Sequence, residues 1–188
     1  LVDSNGVILK PEGLSDEELR AVLQGKGQGQ GLKERPFGGA KTSDLDIIRQ
    51  LETERVIVVD VTAASGMEEV LTEALGRGYG LVLANKRPLT ASWAAWQTLA
   101  GSGRLRHEAT VGAGLPVITT LRYLLDTGDT VTGIEGCFSG TVGYICTQLE
   151  EETPFSTAVA EAKNLGYTEP DPREDLSGRD VARKALIL

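Results

Sequence analysis

The chain has a single histidine, His107, only two cysteines, and no excess of basic residues. One histidine supplies neither a multi-histidine metal site nor a Ser-His-Asp set, so His107 is read as structural. Cys137 and Cys146 form no CxxC motif and lie in apolar surroundings, Gly-Cys-Phe and Ile-Cys-Thr. They read as reduced core residues, which fits a cytoplasmic location. Lysine and arginine number 19 against 27 acidic residues, a net charge of −8. That balance leaves no electrostatic footprint for nucleic acid, and an anionic cofactor would need local donors. No apolar run approaches the roughly 18 residues of a membrane helix, and no signal peptide is expected. A complete dinucleotide fingerprint is also missing. From Gly25 the sixth residue is Gln30, and from Gly27 it is Leu32, so Gly25–Gly31 reads as a flexible loop. Gly112-Ala-Gly114 follows a strand pattern, but its sixth position is Val117. The chain opens mid-pattern at Leu1-Val and stops inside a helical pattern, Arg183–Leu188, as a fragment would.

The elements that are present alternate. Ser15-Asp-Glu-Glu18 caps a helix carrying Leu19, Val22 and Leu23. A helix over residues 42–55 precedes a buried-type strand, Val56–Asp60. A loop at Thr62–Gly66 leads to a helix over Glu68–Gly76. A second buried strand, Leu81–Ala84, leads to a helix over Thr90–Ala100. Its Trp93 and Trp96 read as core or interface residues, and Arg104–Ala109 reads as a third strand. Strand, helix, strand, helix, strand predicts a parallel α/β sheet. After Gly112 the texture changes. Pro116 opens a helix, Thr130–Phe138 reads as a strand, and Gly140–Glu150, Phe155–Leu165 and Ser177–Leu188 read as helices. The fold class is therefore α/β, with a domain change at residues 112–113.

The chemistry concentrates between Tyr167 and Lys184. Pro170 and Pro172 force an extended or turning backbone around Asp171. Carboxylates fall at Glu169, Asp171, Glu174, Asp175 and Asp180. Ser177-Gly-Arg-Asp180 resembles a capping box, which puts Asp180 and Lys184 four apart on one helix face. Such a pair is either a solvated surface ion pair or a carboxylate orienting a proton-donating ammonium. A calcium loop counted from Asp171 fails, because its third position is Arg173 and its sixth is Leu176.

The run Gly166-Tyr-Thr-Glu-Pro-Asp-Pro-Arg-Glu-Asp-Leu-Ser-Gly-Arg-Asp-Val-Ala-Arg-Lys184 resembles the signature of homoserine dehydrogenases. Asp3-Ser-Asn-Gly6, Leu83-Ala-Asn-Lys86, His107–Pro116 and Gly136-Cys-Phe-Ser-Gly-Thr141 are similar to other segments of that family. The resemblance implies a partial Rossmann-type nucleotide-binding domain over residues 1–112. Part of an α+β catalytic domain follows over residues 113–188. It implies NADP- or NAD-dependent interconversion of L-aspartate 4-semialdehyde and L-homoserine, a step of threonine, methionine and isoleucine biosynthesis. Lys184 and Lys86 match active-site lysines. Glu169 and Asp180 match residues that hold the substrate amino group, with Asp175, Tyr167 and Thr141 near them. Thr62, Asn85, Lys86 and Gly166 match contacts to the cofactor. Asp3 matches a position near the adenosine ribose, where an acid favours NAD; Lys26 or Lys33 can offset it. Main-chain carbonyls of Glu108, Val111, Ala113 and Leu115 match a monovalent-cation site for Na+ or K+. The partners implied are a small-molecule substrate and a second copy in a homodimer, with no nucleic acid and no membrane. The phosphate loop is expected before Leu1 and the rest of the catalytic domain after Leu188. A non-catalytic fragment or regulatory module of the same fold, or the dehydrogenase half of an aspartate kinase fusion, are the competing readings.

Overall fold

A computed structural model describes the chain except for Glu169, Pro170 and the side chain of Glu174. It divides into two compact units, Leu1–Glu52 and Thr53–Leu188.

In the first unit, β1 (Gly6–Ile8) pairs antiparallel with β2 (Gly38–Ala40), Gly6 opposite Ala40. Helix α1 (Asp16–Gly27) begins with a complete capping box, Ser15 and Glu18 satisfying each other's backbone N–H. It runs through Gly25, so the helix takes the first part of the glycine-rich stretch and only Gln28 onward is loop. Helix α2 (Asp44–Gln50) is shorter than the expected span, with Ile47 and Ile48 buried.

The second unit is built on three parallel strands in the order β3 (Ile57–Asp60), β4 (Gly80–Leu83), β5 (Leu105–Arg106). Helix α3 (Glu68–Gly76) packs against β4 and against α4 (Trp93–Ala100). Leu71, Leu81, Leu83 and Leu99 are fully buried among them. Each such leucine contributes roughly 1.5–3 kcal/mol by leaving water. The pairing Val59 with Val82 and Asp60 with Leu83 sets opposite faces. One face is covered, while Ile57, Val59, Val61 and Val82 on the other are exposed. The expectation of a strand buried on both faces is thus corrected for β3. A short apolar run says nothing about which face will have a neighbour.

Gly112, at φ +81°, and Ala113, at φ +52°, turn the chain into α5 (Val117–Asp126). Residues 130–138 form no strand, contrary to expectation. β-branched residues favour an extended backbone, but a ladder needs a partner, and none of the described residues provides one. Helices α6 (Gly140–Glu150) and α7 (Phe155–Asn164) pack through Ile145, Ala158 and Ala162. Cys137 and Cys146 are free but exposed, not buried. Trp93 is exposed too, while Trp96 meets His107 edge-on at 6.1 Å. A short helix, α8 (Pro172–Leu176), precedes α9 (Arg179–Ile187). The junction turns at Gly178, φ +71°, a conformation glycine adopts without penalty. Ser177 is therefore not the capping residue of α9, and Asp180 is released from that duty.

No helix of the described residues is long and apolar enough to cross a membrane.

Candidate active site

The carboxyl ends of β3 and β4 and the first turn of α9 enclose a cavity of about 530 Å³. Thr62, Asn85 and Lys86 line it from the strand side, and Asp175 and Asp180 from the helix side. Ligands of open α/β sheets bind at this end of the strands, where loops diverge and backbone groups are free to face a guest.

Asp180 is the centre of charge. Its Oδ2 accepts from Lys184 Nζ at 2.7 Å, and its Oδ1 lies 3.3 Å from Lys86 Nζ. Two lysines separated by 98 positions in sequence thus flank one carboxylate. Burial works to raise the Asp180 carboxyl, but the hydrogen bond of Lys184 and the charges of both lysines outweigh it. The group is held below the ordinary carboxylate value. Lys184 also donates to the Phe138 carbonyl at 2.6 Å, which ties α9 to the extended segment before α6. The Lys86 and Lys184 side chains keep only 26% and 20% of their surface, so their ammonium directions are restricted.

Thr141 and Tyr167 line a neighbouring pocket of about 470 Å³ with Gly140 and Tyr144. The Thr141 hydroxyl donates to the Tyr167 carbonyl and lies 3.5 Å from Asp175, which joins this pocket to the carboxylate wall. The rings of Tyr144 and Tyr167 meet edge-on at 5.0 Å. Gly166 ends α7 at φ +75° and is absent from the lining of the cavity. Glu169 lies outside the described residues.

Glu108 opens a 3-10 turn over Glu108–Thr110, and Val111, Ala113 and Leu115 follow it on the way to α5. The Glu108 carbonyl accepts from Val111 N at 3.4 Å, and the Leu115 carbonyl from Val117 N at 2.9 Å. The Glu108 side chain has a separate task that its motif did not disclose. Its carboxylate accepts from the backbone N–H groups of Ile118 and Thr119 at 2.8 and 2.9 Å, capping α5. The hydroxyl and backbone of Thr119 are the main cause of its lowered pKa. Among the described residues no three His, Cys, Asp or Glu side chains gather as a metal site. In the first unit, the Asp3 carboxylate is taken up by Lys26 at 2.7 Å and by the N–H groups of Asn5, Gly6 and Leu32. Lys26 holds that carboxyl well below its usual range.

Arg87, Arg183 and Asp171 also line the main cavity, and Asp60 lies buried behind it. Arg87, Arg183 and Asp60 carry no site expectation in the sequence, and Asp171 only its place among the carboxylates. The only available signal for Asp60 was a charged residue closing an apolar run.

A family model described as homoserine dehydrogenase matches residues 116–188, the portion that carries Asp175, Asp180 and Lys184. The chain belongs to the homoserine dehydrogenase family. It is 44% identical over 153 residues to the homoserine dehydrogenase of Saccharomyces cerevisiae, covering 76% of this chain and 43% of that protein. It is 38% identical over 197 residues to the chloroplastic bifunctional aspartokinase/homoserine dehydrogenase of Daucus carota, covering all of this chain and 20% of that protein. A solved structure of a hyperthermophilic archaeal homoserine dehydrogenase in complex with NADPH superimposes with a TM-score of 0.77 at 28% identity. It covers 93% of this chain and 54% of the other. The chain thus spans less than half the length of these curated relatives and about half of that solved homologue.

Proposed function

We propose that the chain is the central part of an NADP- or NAD-dependent homoserine dehydrogenase acting on L-aspartate 4-semialdehyde and L-homoserine. The observation that carries this reading is the convergence of Lys86 and Lys184 on Asp180 in a cavity at the carboxyl ends of parallel strands. Residues 1–112 serve the cofactor and residues 113–188 the substrate. The dinucleotide fits the groups of the strand side: Thr62, Lys86 and Arg87 offer polar and cationic groups beside small Ala63 and Ala84. NADPH is bound in the archaeal homologue. When bound, the nicotinamide supplies or takes up the hydride.

The protein's own part is proton transfer and charge placement. Lys184 gives a proton to the aldehyde oxygen as hydride reaches its carbon, and takes one back in the oxidation of the alcohol. Asp180 holds that ammonium in line. Lys86 polarises the carbonyl from the other side. Asp180, Asp175 and Glu169 pair with the substrate ammonium, which a desolvated amino acid requires. Tyr167 and Thr141 shape the carboxylate wall, and Gly166 lets the backbone approach the cofactor. The carbonyls of the segment from Glu108 to Leu115 are offered to Na+ or K+. We assign the protein to the cytoplasm, to a homodimer, and to threonine and methionine biosynthesis. The match of the whole chain to the Daucus carota bifunctional protein favours one further arrangement, fusion to an aspartate kinase.

The test is homoserine-dependent reduction of NAD+ and NADP+ by the full-length protein, followed by nicotinamide absorbance. Turnover with at least one cofactor is expected. No turnover with either, from a folded protein, overturns the reading.

A further inference from the structure

Asp60 has no part in the chemistry above, yet it is 3% exposed and three donors converge on it. Its Oδ1 accepts from Thr62 N at 2.9 Å and Thr62 Oγ1 at 2.7 Å, and its Oδ2 accepts from Asn85 Nδ2 at 3.0 Å. Asn85, 4% exposed, gives its amide hydrogens to Asp60 and to the Ala64 carbonyl at 2.9 Å. Its Oδ1 accepts from Arg87 N at 3.1 Å. The orientation of this amide follows from its surroundings: two acceptors face the nitrogen and one donor faces the oxygen. With both hydrogens engaged, Asn85 has no donor left for a ligand. The backbone strengthens the link, because the Asp60 carbonyl accepts from Ala84 N at 2.9 Å and Asn85 N at 3.3 Å.

These bonds join the two loops that leave β3 and β4. Lys86 sits between the residues of the turn closed by Asn85 Oδ1 and Arg87 N, so the direction of its side chain is set by that turn. We propose that Asp60 is a positioning residue of the dehydrogenase: through Asn85 it aims Lys86 at Asp180. Asn85 works inside this clamp and not by side-chain contact with the cofactor. The proposal rests on the dehydrogenase reading above.

The substitution Asp60→Asn keeps the shape but sets an N–H group against an N–H group, whichever way the new amide turns. Relief comes by turning Asn85 over, which gives up the bonds to Ala64 and Arg87. The experiment compares Asp60→Asn, Asn85→Ala and the double variant in the full-length enzyme. It reads kcat, both KM values and amide hydrogen exchange of Arg87. Each single change is expected to lower kcat about 10- to 100-fold, the cost of misplacing a reacting group by about an ångström. The KM for cofactor is expected to stay within about twofold, and Arg87 exchange to quicken. The double variant is expected to match Asn85→Ala alone, since the conflict vanishes with the amide. A cofactor KM that rises with kcat preserved in Asn85→Ala overturns the clamp in favour of direct contact. Multiplicative losses in the double variant, or unchanged Arg87 exchange, overturn it as well. If Asp60→Asn does not fold, Asn85→Ala decides by the same KM and exchange criteria. An inactive wild-type protein counts against the dehydrogenase reading alone, because exchange at Arg87 is measured without turnover.

Discussion

Replacing Lys184 by methionine and by arginine separates the two roles proposed for it, proton donation and charge placement. Lys184 Nζ donates to Asp180 at 2.7 Å and to the Phe138 carbonyl at 2.6 Å. Methionine fills the same space without a donor. The structural loss is an i, i+4 ion pair, about 0.3–0.5 kcal/mol, and one part-buried hydrogen bond to a carbonyl, about 1 kcal/mol. A total of about 1–2 kcal/mol leaves a protein of ordinary stability folded. The proposed proton transfer predicts a much larger loss of turnover. A positioned proton donor contributes about 10²- to 10⁴-fold, or roughly 3–5 kcal/mol of barrier. Arginine keeps the positive charge beside Asp180, yet it holds its proton far too tightly to act as a general acid at neutral pH. Both variants of the full-length enzyme are therefore expected to lose at least about a hundredfold in kcat. Thermal unfolding is expected to be nearly unchanged for arginine and slightly lowered for methionine. Steady-state turnover and a melting curve on the same samples provide the check. An arginine variant with more than about a tenth of wild-type kcat refutes proton donation and leaves only charge placement.

Two further outcomes follow from groups outside the cluster of Lys86, Asp180 and Lys184. Burial, helped by the charge of Arg122, depresses His107 from 6.5 to about 4. The neutral ring donates from Nδ1 toward Thr110 and accepts from Arg122 at Nε2, 3.2 Å away. Because the folded value is the lower one, the unfolded chain protonates first as the pH falls. His107 then contributes its full stability above about 6.5, and loses it between that value and about 4. The loss is on the order of 2 kcal/mol after allowance for residual solvent screening. Urea unfolding across this window, with His107→Gln as the flat reference, is the measurement; equal slopes sink the assignment. Glu108→Ala removes the cap of α5, and about 1 kcal/mol of stability should go with it. An unchanged denaturation midpoint shows that the cap is idle.

Much of the second unit is legible in the residues themselves. Helices α3 and α6 have the bounds that their apolar spacing predicts, because spacing and capping are local properties. The parallel sheet follows from the rhythm of strands and helices. The segment Thr130–Phe138 misleads, since strand propensity acts only where a partner is at hand. The cysteines mislead because apolar sequence neighbours are not spatial neighbours: Cys146 lies on the outer side of α6, while Ile145 faces α7. The glycine stretch from Gly25 is shared between helix and loop because α1 propagates past its own propensity once it has a good start at Ser15.

The site divides the same way. The residue types, the i, i+4 spacing of Asp180 and Lys184, and the family resemblance reside in the sequence. An i, i+4 pair alone is indistinguishable from a surface salt bridge. What distinguishes it is Lys86, brought from the end of β4 to the other oxygen of the same carboxylate. Long-range placement of this kind depends on strand register and loop closure, which no local pattern encodes. Asp60 illustrates the point from the other side. In sequence it is the last residue of a short apolar strand. Only the parallel pairing of β3 with β4 sets it beside Asn85, where burial turns a carboxylate with three donors into a fixed link between two loops.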